Sequence, residues 1–219
     1  MPNSIALVLS GSTSSRAIAQ LYEEHEGSVS EGELYVIRCK NGDRILCRVD
    51  MIIPHNEFFE KGDAWSEARR KRSPIPVGVS RRYVVMELEL LGTIRKGSLG
   101  DVTRPPEPGD EVYPMDANEL EEVCGAPGKE DGIVYFGSLY GYENLPLPLD
   151  IRGLPMHMAI LGVTGSGKSY TMGYLIELLS RLKVKGEEKD VPMIIVDANG
   201  DYLDFFYEHK KGNFRGYKS

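Results

Sequence analysis

The sequence predicts a mixed fold: a small β-barrel over residues 1–145, followed from residue 146 by the first β-α-β unit of an α/β phosphate-loop domain. Three observations predict it. Short alternating apolar/polar runs punctuated by Gly and Pro fill the first part, as in small barrels. The pattern then changes to strand, helix, strand after Leu145-Pro-Leu-Pro-Leu149, a stiff connector. Finally, Gly162-Val-Thr164-Gly165-Ser166-Gly167-Lys168-Ser169 fills every required position of the G-x-x-x-x-G-K-[ST] pattern.

In the first part, Leu34–Lys40 and Asp43–Ile53 read as a hairpin about Asn41-Gly42, a two-residue type I′ turn. That turn pairs Cys39 with Arg44 and Cys47 with Val36. It places Leu34, Val36, Ile45, Cys47, Val49 and Met51 on one apolar face. Arg38 falls on the same face near the turn and is expected to reach solvent. Cys39 and Cys47 then lie on opposite faces, so no disulfide is expected, and no C-x-x-C spacing suggests zinc. Tyr83–Leu91 alternates, with Val84, Met86, Leu88 and Leu90 inward and Glu87 and Glu89 outward. Shorter strands are expected at Glu111–Met115 and Ile133–Phe136, with a short helix at Asp116–Val123. Residues Glu57–Arg72 read as a weakly helical excursion in which Trp65 has no assigned place.

In the second part, Met156–Leu161 and Val191–Val196 read as buried strands. Between them, Met172, Leu175, Ile176, Leu179 and Leu182 recur at helical spacing over Ser169–Leu182. Arg181, Lys183 and Lys185 suit the negative end of the helix dipole, with Gly186 as its stop.

A strand, a glycine-rich turn and a helix N-terminus together make an anion site. Consecutive backbone N–H groups converge on phosphate oxygens, with the positive end of the helix dipole behind them. The glycines permit the tight curl and the close approach of backbone to ligand. Gly162, Thr164, Gly165, Ser166, Gly167, Lys168, Ser169 and Tyr170 are the candidate nucleotide-binding residues. Lys168 supplies a point charge for the β/γ-phosphates, and the Ser169 hydroxyl is a ligand for Mg²⁺. The competing reading is a chance glycine-rich turn before an ordinary helix. A second is a loop that binds nucleotide without hydrolysing it.

Composition narrows the classes. The chain has 219 residues, 41% of them apolar and 27% charged, as in ordinary globular proteins. Its formal net charge of −7 argues against a broad DNA-binding face, which needs dense Lys and Arg. The basic cluster Arg69-Arg70-Lys71-Arg72 with Arg81-Arg82 is a solvated loop or, alternatively, a polyanion contact. No apolar run approaches the ~20 residues of a membrane span. Ile5–Leu9 lacks the basic lead-in of a secretory signal, so the sequence reads as cytoplasmic.

Several segments, taken in order, resemble the HerA family, the archaeal and bacterial hexameric DNA translocases related to FtsK. They are Gly42–Val49, Tyr83 through Pro108-Gly109-Asp110-Glu-Val112, Met156–Gly162 leading into the loop, and Asp197-Ala-Asn-Gly200-Asp201-Tyr202, similar to D-x-x-G-[ED]-Y. The resemblance covers nearly the whole chain. It implies a HAS-barrel collar, where partners dock, ahead of a RecA-like ATPase domain. It also implies ATP and Mg²⁺ as cofactors, a homo-hexameric ring, double-stranded DNA as the moved polymer and a NurA-type nuclease partner in end resection. Asp197 is read as a strand-end residue near the nucleotide, with a direct Mg²⁺ role as the alternative. Asp201, with Lys168 a candidate catalytic residue, either lies near the γ-phosphate or caps a turn. His157 reads as a hydrogen-bonded core residue in preference to a ligand.

Only one strand–helix–strand unit of an ATPase domain is present, and hydrolysis needs further groups. The chain therefore reads as an N-terminal fragment that alone binds nucleotide poorly and does not turn over. Two alternatives stand beside the translocase reading: another FtsK-like motor, for conjugation or secretion, and a non-catalytic barrel module with a vestigial loop.

Overall fold

A computed structural model describes residues 3–95, 98–125, 132–142, 145–154, 157–180, 183–184, 187–188 and 192–203. The chain divides into two compact units, Met1–Ala126 with Gly137–Leu149, and Pro127–Phe136 with Asp150–Ser219.

The first unit is a barrel. Its strands are Ala6–Val8 (β1), Arg16–Leu21 (β2), Leu34–Arg38 (β3), Arg44–Asn56 (β4), Arg82–Arg95 (β5), Ser98–Gly100 (β6) and Glu111–Pro114 (β7). They hydrogen-bond in the order β2-β1-β7-β3-β4-β5, and a β2–β5 pairing closes the six-stranded ring. Strand β6 adds to β5 outside that ring. Every ladder of the ring is antiparallel. Closure leaves the ring no unpaired edge. Strands β1 and β2 carry little sequence signal: β1 is three residues long, and β2 buries only Ala17, Ala19 and Leu21.

The hairpin register differs from the expected one. Cys39 N–H donates to the Asp43 carbonyl (2.8 Å) and Gly42 N–H to the Cys39 carbonyl (2.9 Å). The loop is therefore three residues, Lys40-Asn41-Gly42, with Gly42 in the left-handed region at φ 88°. The Asn41 side chain accepts from the Asp43 N–H (2.9 Å) and stabilises this longer turn. Cys47 consequently faces Tyr35, not Val36. One extra loop residue moves every β3 side chain to the other face. Tyr35 and Ile37 join Ile45, Cys47 and Val49 inside the barrel with Met86, Leu88 and Leu90. Leu34 and Val36 face a separate cluster outside it. Met51 also departs from expectation, 46% exposed, because a register shift between Val49 and Met51 turns it out. Cys39 and Cys47 share the inner face, four positions apart along the ladder and about 13 Å at ~3.3 Å per residue. Both are free, as expected, but distance and not opposite facing keeps them apart.

After a short helix at Ser66–Arg70 (α1), helix Ala117–Cys124 (α2) covers the outer cluster of Val36, Leu46, Met115 and Leu120, which also includes Leu139 and Leu145. A reciprocal capping box starts the helix: Glu119 N–H donates to the Asp116 carboxylate (2.8 Å), and Asp116 N–H donates to that of Glu119 (3.2 Å). Arg38 does not reach freely into solvent. It pairs with the buried Glu119 (3.1 Å) and lies over the Tyr113 ring, while Arg44 grips Glu122 through both carboxylate oxygens (2.7 Å each).

The excursion between β4 and β5 is organised around Arg69. Its guanidinium donates to both Asp63 oxygens (2.7 and 2.9 Å) and to the carbonyls of Phe58 and Glu60. Trp65 packs on Phe58, with ring centroids 4.8 Å apart. Arg70 and Lys71 pair with Glu67, and Arg82 with Glu26. Within the loop, Asp63 and Glu67 thus partner three of these basic side chains.

In the second unit, Lys168–Ser180 forms a helix (α3), one residue longer at its start than expected. Leu175, Ile176 and Leu179 are buried, and Tyr174 packs against Phe136 at 5.5 Å. Leu182, Arg181, Lys185 and Gly186 lie outside the described residues. Lys183–Val184 pairs antiparallel with Glu187–Glu188. Ile133–Ser138 and Pro146–Asp150 form a separate two-stranded ladder, so the proline-rich connector is a strand.

The expected parallel strands beside α3 do not form among the described residues. Residues 157–161 and 192–197 carry no ladder. Met156 and Val191 are outside the described set. Without a partner strand among the described residues, neither run has a sheet face on which to bury its side chains. The apolar side chains show this: Leu161 is 89% exposed, Ile194 96% and Val196 91%. His157 is likewise exposed, not a core residue, since residues 157–161 pair with no strand among the described residues.

Candidate nucleotide-binding site

The loop between residue 162 and α3 takes its shape from its glycines. Gly165 and Gly167 both lie in the left-handed region, at φ 81° and 88°, a conformation costing a residue with a Cβ roughly 1–2 kcal/mol. At Gly162 the constraint is space. A Cβ there would collide with the Ser166 hydroxyl and crowd its Cβ, so Ser166 would have to turn away. Ser166 N–H donates to the Val163 carbonyl (3.2 Å), closing a turn inside the loop. Thr171 N–H donates to the Gly167 carbonyl (2.8 Å), so that glycine opens the helix.

The N–H groups in the first turn of α3, from Lys168 onward, have no acceptor within the helix. They carry the positive end of its dipole. The Lys168 ammonium donates to the Val163 carbonyl at 2.8 Å, tying the helix end of the loop to its beginning. Thr164 and Ser166 are exposed, and Tyr170 is 83% exposed on the first turn.

Two carboxylates were candidates from sequence, and the structure brings one of them to the loop. The Ser169 hydroxyl donates to Asp201 Oδ2 at 2.8 Å. Asp197 is engaged with its own turn: Gly200 N–H donates to Oδ1 (2.9 Å) and Tyr202 N–H to Oδ2 (2.8 Å). These backbone donors, the Tyr202 amide foremost, hold the Asp197 carboxyl below the ordinary carboxylate range. Gly200, at φ 79°, supplies the reversal between the two acids. Sequence could not rank Asp197 against Asp201, because both stand in one six-residue turn.

Alongside α3 runs a cleft of about 550 Å³. Its lining includes Lys168, Ser169 and Tyr202 together with Leu154, Ile160 and Met172.

The site fits a magnesium–nucleotide. Exposed N–H groups, an ammonium, a hydroxyl and one carboxylate converge on one loop. Among the described residues no group of three His, Cys, Asp or Glu forms a metal cage. Mg²⁺ needs none, since it is held by one or two protein ligands plus phosphates and water.

Comparison with known proteins decides the lineage of this segment. Residues 134–219 match the family model described as helicase HerA, central domain. Those residues belong to the HerA family. A probable helicase of Methanocaldococcus jannaschii is 32% identical over 137 residues, covering 60% of this chain and 24% of that protein. The DNA double-strand break repair helicase HerA of Saccharolobus solfataricus is 33% identical over 100 residues, 46% of this chain and 18% of its own length. That of Pyrococcus furiosus is 26% identical over 188 residues, 81% of this chain and 31% of its own. The chain thus spans between about a fifth and a third of the length of these relatives. The last match reaches well beyond the central-domain segment, so the relationship includes part of the barrel unit.

No helix among the described residues is long and apolar enough to cross a membrane.

Proposed function

We propose that the intact protein is an ATP-dependent translocase or helicase of the HerA type, coupling ATP hydrolysis to movement of double-stranded DNA in end resection. One observation carries the reading: a G-x-x-x-x-G-K-S loop, with two of its glycines left-handed, runs into the N-terminus of α3 within a HerA central-domain segment. ATP and Mg²⁺ are the cofactors in this reading, and residues 146–219 open the ATPase domain.

The residues act as follows. The N–H groups at the start of α3 receive the phosphate oxygens, whose charge the helix dipole favours. Lys168 exchanges its neutral carbonyl acceptor at Val163 for a phosphate oxygen, a stronger charge-assisted bond. Ser169 turns its hydroxyl lone pair to the metal. Bound Mg²⁺ supplies neutralisation of the charge developing on the β- and γ-oxygens. The apolar runs at 157–161 and 192–196, exposed in this chain, become interior strands when further strands of the ATPase sheet flank them. In this reading residues 1–219 alone bind nucleotide weakly and do not turn over. The barrel serves as the HAS-barrel collar of a hexameric ring and as the docking element for a NurA-type nuclease.

The test is hydrolysis by the full-length protein with and without duplex DNA. DNA should raise the rate, and Lys168→Ala should lower turnover by about 10²-fold or more. Wild-type rates in that variant would remove the assignment.

A further inference from the structure

The two acids of the Asp197–Tyr202 turn have different tasks. We propose that Asp201, and not Asp197, is the carboxylate that meets the Mg²⁺ of the bound nucleotide, sharing the ion with the Ser169 hydroxyl. The inference rests on the nucleotide reading above and deepens it.

The argument begins with what each carboxylate can still do. Asp197 has both oxygens committed to main-chain donors of its own turn, Gly200 N–H and Tyr202 N–H. Turning it toward an ion would take these acceptors away from two backbone N–H groups of the turn. Asp201 carries no such burden. Its Oδ2 lies 2.8 Å from Ser169 Oγ, the hydroxyl that the loop pattern assigns to the metal.

That separation is also the right size. Magnesium holds its oxygens octahedrally at about 2.0–2.1 Å, so ligands at neighbouring corners stand about 2.9 Å apart. The Ser169–Asp201 pair already stands at one edge of such an octahedron. At that separation both oxygens could meet one ion once the Ser169 hydroxyl hydrogen turns away. Gly200 makes this possible: its left-handed φ of 79° reverses the chain so that Asp197 faces the turn and Asp201 faces the loop. Asp197 is the anchor of the turn, and Asp201 its working end.

Equilibrium ATP binding to the full-length protein, in Mg²⁺ and in EDTA, tests this without reference to turnover. The readout is the ratio of the two dissociation constants. Asp201→Asn should cut the Mg²⁺ enhancement by about tenfold or more, as losses of metal-supporting groups commonly do, and leave affinity in EDTA within about threefold. Asp197→Asn keeps one acceptor oxygen and sets its NH2 against the other N–H of the turn, so any loss of affinity should be equal in Mg²⁺ and EDTA and leave the enhancement within about threefold of wild type. Adding Ser169→Ala to Asp201→Asn should cost less than the sum of the two single losses, since both act on one ion. A wild-type ratio in Asp201→Asn overturns the proposal, as does loss of the ratio in Asp197→Asn alone. If the wild-type protein binds no ATP in either condition, the nucleotide reading itself fails, and this inference with it.

Discussion

The barrel and the phosphate-loop unit face the same problem, the burial of apolar strand residues, with opposite outcomes. In the barrel, Ile37, Met86 and Leu88 are wholly buried. In the loop unit, Leu161, Ile194 and Val196 are almost wholly exposed, although their sequence pattern is at least as apolar. Composition does not separate them; closure does. Six antiparallel strands pair with one another and return to the first, so the barrel completes itself. Parallel strands must take their neighbours from distant parts of a chain, and a buried parallel sheet needs cover on both faces. Self-sufficiency in one unit and dependence in the other is the difference that matters for function. The candidate site in the second unit takes its shape from its loop and helix, with no ladder at residues 157–161 or 192–197 beside it.

Paired truncations can break this contrast. In the 219-residue chain, Leu88→Ala should cost about 2–5 kcal/mol, the usual range for a fully buried leucine. Ile194→Ala should change stability by less than about 0.5 kcal/mol, as at an exposed site. Urea denaturation followed by circular dichroism measures both. Comparable losses would mean that the second unit has a core of its own. The same Ile194→Ala change in the full-length protein should become costly if flanking strands bury it.

The next effects concern devices that set the barrel's geometry. Gly42→Ala places a Cβ at φ 88° and should cost about 1–2 kcal/mol. Asp116→Ala removes the capping box of α2 and should cost about 1 kcal/mol. Thermal melts read both.

These devices also mark where the sequence was legible. The alternation in β5 named Val84, Met86, Leu88 and Leu90 correctly, because a long strand repeats its period enough times to be unambiguous. The helix signal at Asp116 held because Asp and Glu three residues apart is a chemical pattern with a mechanism. The β3–β4 hairpin was legible in existence but not in register. Asn41-Gly42 suits both a two-residue turn and the second and third residues of a three-residue loop, and only the hydrogen bonds of Cys39 choose. Strands β1 and β2 were invisible because short, alanine-containing strands owe their place to the ring that surrounds them. At the candidate site, the loop and the start of α3 were legible from a contiguous motif. The contact between Ser169 and Asp201 was not, since it joins residues 32 positions apart through a glycine's backbone angle.

A smaller effect should appear at alkaline pH. Burial, with help from the nearby Asp110 carboxylate, pushes the Cys39 thiol up to about 12. Burial also raises Cys47 and Tyr35 above their ordinary ranges. Each of these groups stays protonated in the fold where the unfolded chain ionises. Their stabilisation is therefore intact below the ordinary thiol pKa of about 8.5 and declines as pH rises above it. The urea midpoint should hold steady between about pH 7 and 8.5 and fall beyond that. A midpoint rising with alkalinity would contradict the burial of these groups.

The most direct test of the central claim is calorimetric titration of the full-length protein with ATP in the presence of Mg²⁺, beside Lys168→Ala. Saturable uptake by the wild type should weaken in the variant by roughly 10- to 150-fold, the equivalent of a charge-assisted bond of about 1.5–3 kcal/mol. Equal affinity in the two proteins, or no magnesium-dependent uptake by the wild type, would contradict the account.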